Sequence, residues 1–270
     1  MPEVETPERR PAEGSALGHE HELKGMSLLE HLEELRHRII YSLLALTAGF
    51  GVCWWYADKI FGFMQRPIIA ALHRHKLDET LIYLNPTEPF NIYLKVGLLA
   101  GLFVASPFIL YQVWGFIAPG LYRNERRYVI PFMVTTVGLF VAGGAFGYYI
   151  VYPAALDFLI GYGEQFKPMI TIGEYVDLFL TVIVGLGVVF ELPIVIFFLA
   201  LMGVVSAGWL WRNLRYSILV IFIIAAVITP TTDIVNMCIF AAPMIALYLL
   251  SIGIAWMVHP KRRRARAQRS

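Results

Sequence analysis

The stretch SLLEHLEELRHR, residues 27–38, leads directly into a run from Ile39 to Ala57 that contains no charged residue. A run of this length is enough for a helix to cross a bilayer. Within the charged stretch, Ser27 and Glu30 form a capping box, which is a signature of a helix start. Leucines recur there at helical spacing, and most charges lie on the opposite side. The stretch therefore predicts an N-terminal amphipathic helix that lies at the membrane interface before the first span.

Composition places the chain among membrane proteins that cross the bilayer several times. Its 270 residues are 58% hydrophobic and 16% charged, whereas soluble domains average about 25% charged residues. No signal-peptide core precedes the first span, so cleavage is not expected. The two cysteines, Cys53 and Cys238, lie inside apolar runs. They are expected to be buried thiols, and neither a disulfide framework nor a zinc site is indicated.

Six apolar segments predict an all-α integral membrane protein with six transmembrane helices. The predicted spans are residues 39–57, 96–118, 128–156, 178–210, 216–229 and 234–258. As a helix, the fifth span would cover roughly 21 Å of a hydrocarbon core about 30 Å thick. Pro243 interrupts the sixth span, so the fifth and sixth helices are both expected to be short.

Basic residues predict that both termini face the cytoplasm. Six spans put the termini on one side, which collects 16 of the 22 Lys and Arg residues, against five on the other side. The positive-inside rule assigns the richer side to the cytoplasm. Residues 1–25 combine prolines and charges without an apolar period and are expected to be a disordered extension. The membrane domain then covers residues 26–258, and a basic cytoplasmic tail covers residues 259–270.

Carboxylates are the candidate functional groups, because the sequence carries none of the common catalytic or phosphate-binding motifs and no enzyme is indicated. Glu34 lies in the opening stretch, Glu125 in a charged hairpin, and Glu191 within an otherwise apolar span. Spacing alone favours weak local ion pairs with nearby arginines for Glu34 and Glu125. The intramembrane position of Glu191 favours a function, with a protonated or paired packing group as the alternative. Asp233 is most simply the N-cap of the last helix.

Several motifs resemble those of the TatC family, the membrane receptor subunit of the twin-arginine protein translocase. The sequence HLEELRHR at residues 31–38 resembles the family signature H-L-x-E-L-R-x-R. The segments YQVWGFIAPGLY at residues 111–122 and ERR at residues 125–127 also resemble family motifs. Later family motifs match FELP at 190–193 and TPTTD at 229–233, where Thr-Pro-Pro-Asp is more usual. The resemblance extends from about Met26 to the sixth span.

The resemblance implies a receptor for folded proteins that carry twin-arginine signal peptides. It implies that Glu34 and Glu125 contact the two arginines on the cytoplasmic face. Leu35, Arg36 and Phe116 match family positions in the same region. The chemistry agrees, because carboxylates accept bidentate hydrogen bonds from a guanidinium group that a lysine ammonium cannot donate.

The resemblance also implies partners and an energy source. Glu191 would contact TatA or TatB helices, Pro67 would support the outer connection, and Asp233 belongs to the last matching motif. Lipid and further copies of the chain are expected partners, whereas nucleic acid, cofactors and metals are not. Transport in the family uses the proton-motive force across the bacterial cytoplasmic membrane. An alternative function is a proton-coupled small-solute transporter in which Glu191 carries the proton, although no internal repeat supports it.

Overall fold

A computed structural model gives the fold and describes residues 28–117, 129–163, 166, 169–229 and 233–267. These residues are helical apart from turns and one isolated β-bridge between Ile82 and Thr171, which confirms the all-α prediction. The helices are α1 Leu28–Trp54, α2 Ala57–Met64, α3 Arg66–Arg74, α4 Glu88–Ile117, α5 Val129–Phe146, α6 Tyr152–Tyr162, α7 Ile172–Val189, α8 Leu192–Met202, α9 Ala207–Arg212, α10 Leu214–Ile228 and α11 Ile234–Ala267. A π-helix, Gly147–Val151, joins α5 to α6.

Several helices are long and apolar enough to cross a membrane, as expected for a multi-pass membrane protein. Among the described residues, four stretches qualify: Glu88–Ile117, Phe132–Tyr162, Ile172–Met202 and Ile234–Met257. Leu29–Trp54 and Ala57–Arg74 qualify together as a pair that is bent by 85°. The shorter apolar helix α10 matches the predicted fifth span and has only 15 residues. The total of six spans and the side on which the termini lie stay predictions.

Two predictions about helix extent are wrong. The sixth helix is not short, because α11 has 34 residues and an apolar part of 24 residues. Pro243 does not break it, since the neighbouring turns bury Phe240 and Met244 in the core and membrane helices tolerate proline. The amphipathic stretch is not a separate interfacial helix, because α1 continues unbroken through it. No Gly or Pro lies between Leu28 and Thr47 that would end a helix there.

The predicted outer regions of the chain are only partly described. The N-terminal extension, residues 1–25, lies outside the described residues. Residues 259–267 of the predicted basic tail continue α11 as helix. The division into an extension, a membrane domain and a tail therefore stays a prediction, with the first nine residues of the tail in helical form.

Helix α1 packs antiparallel to α4 at a crossing that two glycines permit. A Cβ added to Gly101 would lie 2.6 Å from the backbone nitrogen of Phe50, and one added to Gly49 would lie 2.8 Å from the carbonyl oxygen of Gly101. Small residues let helix backbones approach this closely. The crossing holds the charged N-terminal end of α1 beside the last turns of α4.

At the other end of α1, the helices α2 and α3 form a cap on the bundle. Pro67 occupies the second position of α3 and is buried together with Ile68, a position where proline suits helix geometry. Tyr148 donates a hydrogen bond of 2.8 Å to the carbonyl oxygen of Phe63, and Tyr175 donates to that of Met64. The chain bends between these two helices at Gln65, which follows the end of α2 at Met64 and precedes the start of α3 at Arg66.

Substituting Gly101 by alanine should destabilise the protein, because the new Cβ would collide with the backbone of Phe50. A collision with backbone is not relieved by a side-chain rotation, and we expect a loss of about 1–3 kcal/mol in the free energy of unfolding. Thermal unfolding of the detergent-solubilised protein measures it. The matched control is Gly51→Ala, where the added Cβ meets nothing within 4 Å. It should be neutral or stabilising, and equal stability of the two variants would contradict the close crossing.

Candidate functional site

Glu34 and Arg38 form an ion pair one turn apart on α1. The Nε and Nη2 atoms of Arg38 both donate to Oε1 of Glu34, at 2.9 and 2.5 Å. The exposed fraction is 21% for the Glu34 side chain and 24% for that of Arg38. The local pairing that spacing favoured for Glu34 is therefore present, but the pair is largely withdrawn from solvent rather than being an exposed surface pair.

The second carboxylate oxygen of Glu34, Oε2, takes no part in this ion pair. Oε2 is buried and has no hydrogen-bond partner in the described part of the chain. A buried acceptor without a donor costs about 1–3 kcal/mol, and an ionised carboxylate accepts hydrogen bonds at both of its oxygens. Glu34 thus has one oxygen held by Arg38 and one oxygen whose hydrogen-bonding capacity is unused.

Residues near the end of α4 contact Arg38 and His31 of α1. Nη1 of Arg38 donates to the backbone oxygen of Gln112 at 3.4 Å and to its side-chain oxygen at 3.3 Å. A Cβ added to Gly115 would collide with Nη1 and lie 3.1 Å from Cζ of Arg38, so the glycine makes room for the guanidinium. The rings of His31 and Phe116 stack with their centroids 4.3 Å apart and their planes at 14°. We call these residues and Glu34 the α1–α4 surface.

The other residues predicted to bind the signal peptide lie at different places relative to this surface. Phe116 belongs to it, and Leu35 is half-buried next to Glu34. Arg36 is exposed, and it lies about 200° around the helix from Glu34, so it is not on the side that faces α4. Glu125 lies outside the described residues, and its pairing with a neighbouring arginine is untested.

Gln112 and Gly115 are members of the α1–α4 surface that the sequence reading missed. Together with Phe116 they follow the i, i+3, i+4 spacing that puts residues on one face of a helix. That pattern marks a face of α4 but does not say which helix covers it. Only the packing of α1 on α4, across 74 residues of sequence between Arg38 and Gln112, reveals their role.

Glu191 lies at a break in the predicted fourth span. Helix α7 ends at Val189 and α8 begins at Leu192, with Pro193 in its first turn. The side chain of Glu191 is buried, and both of its carboxylate oxygens lack a hydrogen-bond partner among the residues that the structure describes. Glu191 is therefore not paired within the described part of the structure. The alternative that it is a protonated packing group stays a prediction.

Thr136 on α5 is a second buried polar group without a described hydrogen-bond partner. It is fully buried, and its hydroxyl has no hydrogen-bond partner within the described ranges. Helix α5 packs antiparallel to α7 and α8. A Cβ added to Gly143 would lie 2.9 Å from Cα of Gly187, and the rings of Phe132 and Phe198 lie 4.7 Å apart. A Cβ added to Gly143 would also lie 2.9 Å from Cβ of Phe190, the neighbour of Glu191, whereas Thr136 lies seven residues, or about 10 Å, before Gly143 along α5.

Asp233 caps the last helix, as predicted. Its Oδ1 accepts a hydrogen bond of 2.7 Å from the backbone nitrogen of Asn236, and its Oδ2 accepts one of 3.1 Å from the side-chain amide. A side-chain acceptor three residues before the helix nitrogen that it satisfies is the usual N-cap arrangement. The extra residue in the TPTTD motif therefore leaves the capping position of Asp233 intact.

Metal ligation has no candidate in the described part of the chain. The residues there contain no cluster of three or more His, Cys, Asp or Glu side chains that could hold a metal ion. Both cysteines are free thiols: Cys53 is buried and Cys238 is exposed. The prediction that both thiols are buried is thus wrong for Cys238, because its position on α11 faces away from the core.

Comparison with known proteins identifies the family. The family model for the Sec-independent protein translocase protein (TatC) matches residues 30–243. The chain belongs to the TatC family. A TatC protein of Koribacter versatilis is 72% identical over 246 residues, which is 91% of each chain. One from Carboxydothermus hydrogenoformans is 39% identical over 239 residues, 88% of this chain and 96% of the relative.

A solved structure agrees with the sequence comparisons. A crystal structure of a twin-arginine translocase receptor, TatC, has a TM-score of 0.76 and 36% identity to this TatC-family chain. The match covers 85% of this chain and 100% of that one. The TatC family is a family of protein-transport components without enzymatic activity, and the prediction of a transport protein rather than an enzyme is confirmed.

Replacing Glu191 by leucine should stabilise this TatC-family protein, because the change removes two buried acceptors that have no described donor. We expect a gain of about 1–3 kcal/mol in the free energy of unfolding. Glu191→Gln keeps polar atoms that need partners and should gain less. Thermal unfolding in detergent distinguishes the variants. A marked loss of stability in Glu191→Leu would show that the carboxylate has a partner that the fold requires.

Proposed function

We propose that this protein is the receptor for twin-arginine signal peptides in its translocase, and that Glu34 binds one of the two arginines. The observation that carries the proposal is the buried Oε2 of Glu34, which has no donor in the described part of the chain. A guanidinium group has five N–H donors in a planar arrangement and would supply one. The similar crystal structure, which is that of a twin-arginine translocase receptor, supports the same function.

Glu125 is proposed as the second carboxylate of the same site. The connection that carries it follows Phe116 on α4, and Phe116 stacks on His31 of α1. That connection therefore starts beside the α1–α4 surface. Two carboxylates suit two arginines, since lysine supplies the charge without the planar fork of donors. Leu35 and Arg36 would border the site, with the exposed Arg36 at its rim.

We further propose the setting in which this receptor works. The basic residues favour a bacterial cytoplasmic membrane with both termini, and hence the α1–α4 surface, on the cytoplasmic side. Transport of folded cargo would draw on the proton-motive force, in keeping with a sequence that carries no phosphate-binding loop. Lipid surrounds the exposed apolar faces of helices such as α10, whose Val227 is 81% exposed, and several copies of the chain would assemble in the translocase.

Glu191 is proposed as the contact for TatA or TatB helices within the membrane. Both of its carboxylate oxygens are buried and have no hydrogen-bond partner among the described residues. A polar side chain on a partner helix would satisfy them at little cost, because its own alternative in lipid is also unfavourable. The relatives described above are protein translocases, which favours this role over proton-coupled transport of a small solute.

Removing both proposed carboxylates should greatly weaken signal-peptide binding. In Glu34→Gln/Glu125→Gln the shape is retained but the charges that accept guanidinium hydrogen bonds are lost, so we expect at least a tenfold fall in affinity. Site-specific crosslinking of a twin-arginine signal peptide to the membrane-embedded protein measures it. Glu33→Gln is the matched control. Glu33 lies on the same helix, its side chain is exposed, and its distance to Nε2 of His37 is 4.0 Å, too long for a hydrogen bond. Unchanged crosslinking in the double variant would overturn the proposal.

Glu191→Leu should separate signal recognition from assembly. We expect crosslinks between this protein and TatA or TatB helices to fall, because the buried acceptors are gone, while signal-peptide crosslinking to the α1–α4 surface is retained. Transport of a folded reporter should fall with the first set of crosslinks. Normal transport by Glu191→Leu would contradict the role of Glu191, and loss of signal-peptide crosslinking would show that the two sites are not separate.

A further inference from the structure

We propose that Arg38 positions Glu34 for its ligand: it holds Oε1 through two donors, and the α4 residues Gln112 and Gly115 hold Arg38 in turn. This inference rests on the proposed function, in which Glu34 binds a signal arginine. Arg38 is a positioning residue in this account, since it acts through Glu34 and leaves Oε2 for the ligand. The proposed function concerns Glu34 alone, and it assigns no role to Arg38 or Gly115.

The ion pair with Arg38 engages only one of the two oxygens of the Glu34 carboxylate. Both Nε and Nη2 of Arg38 donate to the same oxygen, Oε1, and neither donates to Oε2. A glutamate on a helix surface otherwise samples several rotamers. Two charge-assisted hydrogen bonds to one oxygen restrict this sampling and fix the direction in which the other oxygen points. A carboxylate fixed in this way loses less conformational entropy when a ligand binds.

Helix α4 holds the side chain of Arg38 in place. Nη1, the one guanidinium nitrogen that does not contact Glu34, donates to both oxygens of Gln112. All three nitrogens of the guanidinium therefore have acceptors, one on α1 and two on α4. The absence of a side chain at Gly115 leaves the space in which Nη1 and Cζ lie. The position of the carboxylate thus depends on a helix that is distant in sequence.

Arg38 does not occupy the place of the ligand. An arginine that occupied the place of the ligand would have to leave before a signal peptide could bind. Arg38 instead contacts the oxygen that is satisfied, and the unsatisfied Oε2 lies on the other branch of the carboxylate. Its contacts with Gln112 do not involve Oε2. A lysine at this position keeps the positive charge and loses the paired donors, so it isolates geometry from charge.

The test uses the full-length protein in lipid nanodiscs and a fluorescent synthetic peptide with two consecutive arginines before an apolar segment. We expect Arg38→Lys and Gly115→Ala each to weaken binding of this peptide about tenfold, the loss that corresponds to about 1.4 kcal/mol. Gly138→Ala is the matched control, because a Cβ added to Gly138 meets nothing within 4 Å. It should bind the peptide as the unmodified protein does.

Two further measurements identify a positioning role rather than a merely structural one. The ratio of affinities for the Arg-Arg peptide and a Lys-Lys peptide should fall in both variants, because a mobile carboxylate no longer matches the planar guanidinium. The double variant Arg38→Lys/Gly115→Ala should bind no more weakly than Arg38→Lys alone, since Gly115 acts only through Arg38. Thermal unfolding of each variant checks that the protein is folded, and if Gly115→Ala does not fold, Arg38→Lys carries the test.

The outcomes separate this inference from the proposed function. If Glu34→Gln weakens binding while Arg38→Lys and Gly115→Ala leave affinity and the peptide ratio unchanged, positioning by Arg38 is overturned and the receptor function stands. If Arg38→Lys binds the Arg-Arg peptide more tightly, Arg38 competes with the ligand and the inference is equally overturned. If Glu34→Gln binds normally, the proposed function itself fails.

Discussion

At the crossing of α1 and α4, Gly49 faces the carbonyl oxygen of Gly101, and Gly101 faces the backbone of Phe50. From this point each helix continues for eleven residues to reach the α1–α4 surface: from Gly49 back to Arg38, and from Gly101 on to Gln112. Eleven residues make about three helical turns, or roughly 17 Å, which returns each side chain to the face that carried the glycine. The hydrogen bonds between Arg38 and Gln112 therefore depend on the register that the glycines set.

Unsatisfied polar groups occur at two levels of the same bundle. Among the described residues, Oε2 of Glu34 lies at one level and the carboxylate of Glu191 at the other. An aromatic cluster lies between them: Trp114 stacks on Phe198 with ring centroids 4.7 Å apart. Trp114 is next to Gly115 in the sequence, and Phe198 lies about 10 Å along the helix from Glu191.

The sequence predicted those features that depend on local pattern. Apolar length and low charge indicated the helical membrane class, the i, i+4 spacing indicated the Glu34–Arg38 pair, and the turn before Asp233 indicated the cap. It could not predict that Gln112 and Gly115 meet Arg38, because that contact depends on how two long helices cross. Proline was a misleading signal at Pro243, where tertiary packing maintains the helix. Glu125 stays a prediction because it lies outside the described residues.

The π-helix between α5 and α6 takes one extra residue into a turn, as π-helical segments do. Tyr148 within it donates to the carbonyl oxygen of Phe63 on α2, and Tyr152 just after it donates to that of Tyr175 on α7. An ordinary helix turns by about 100° for each residue. Deleting one residue from Gly147–Val151 would restore regular winding and rotate α6 about its axis by that angle. The one extra residue of the π-helix therefore sets which face of α6 is turned towards the cap formed by α2 and α3.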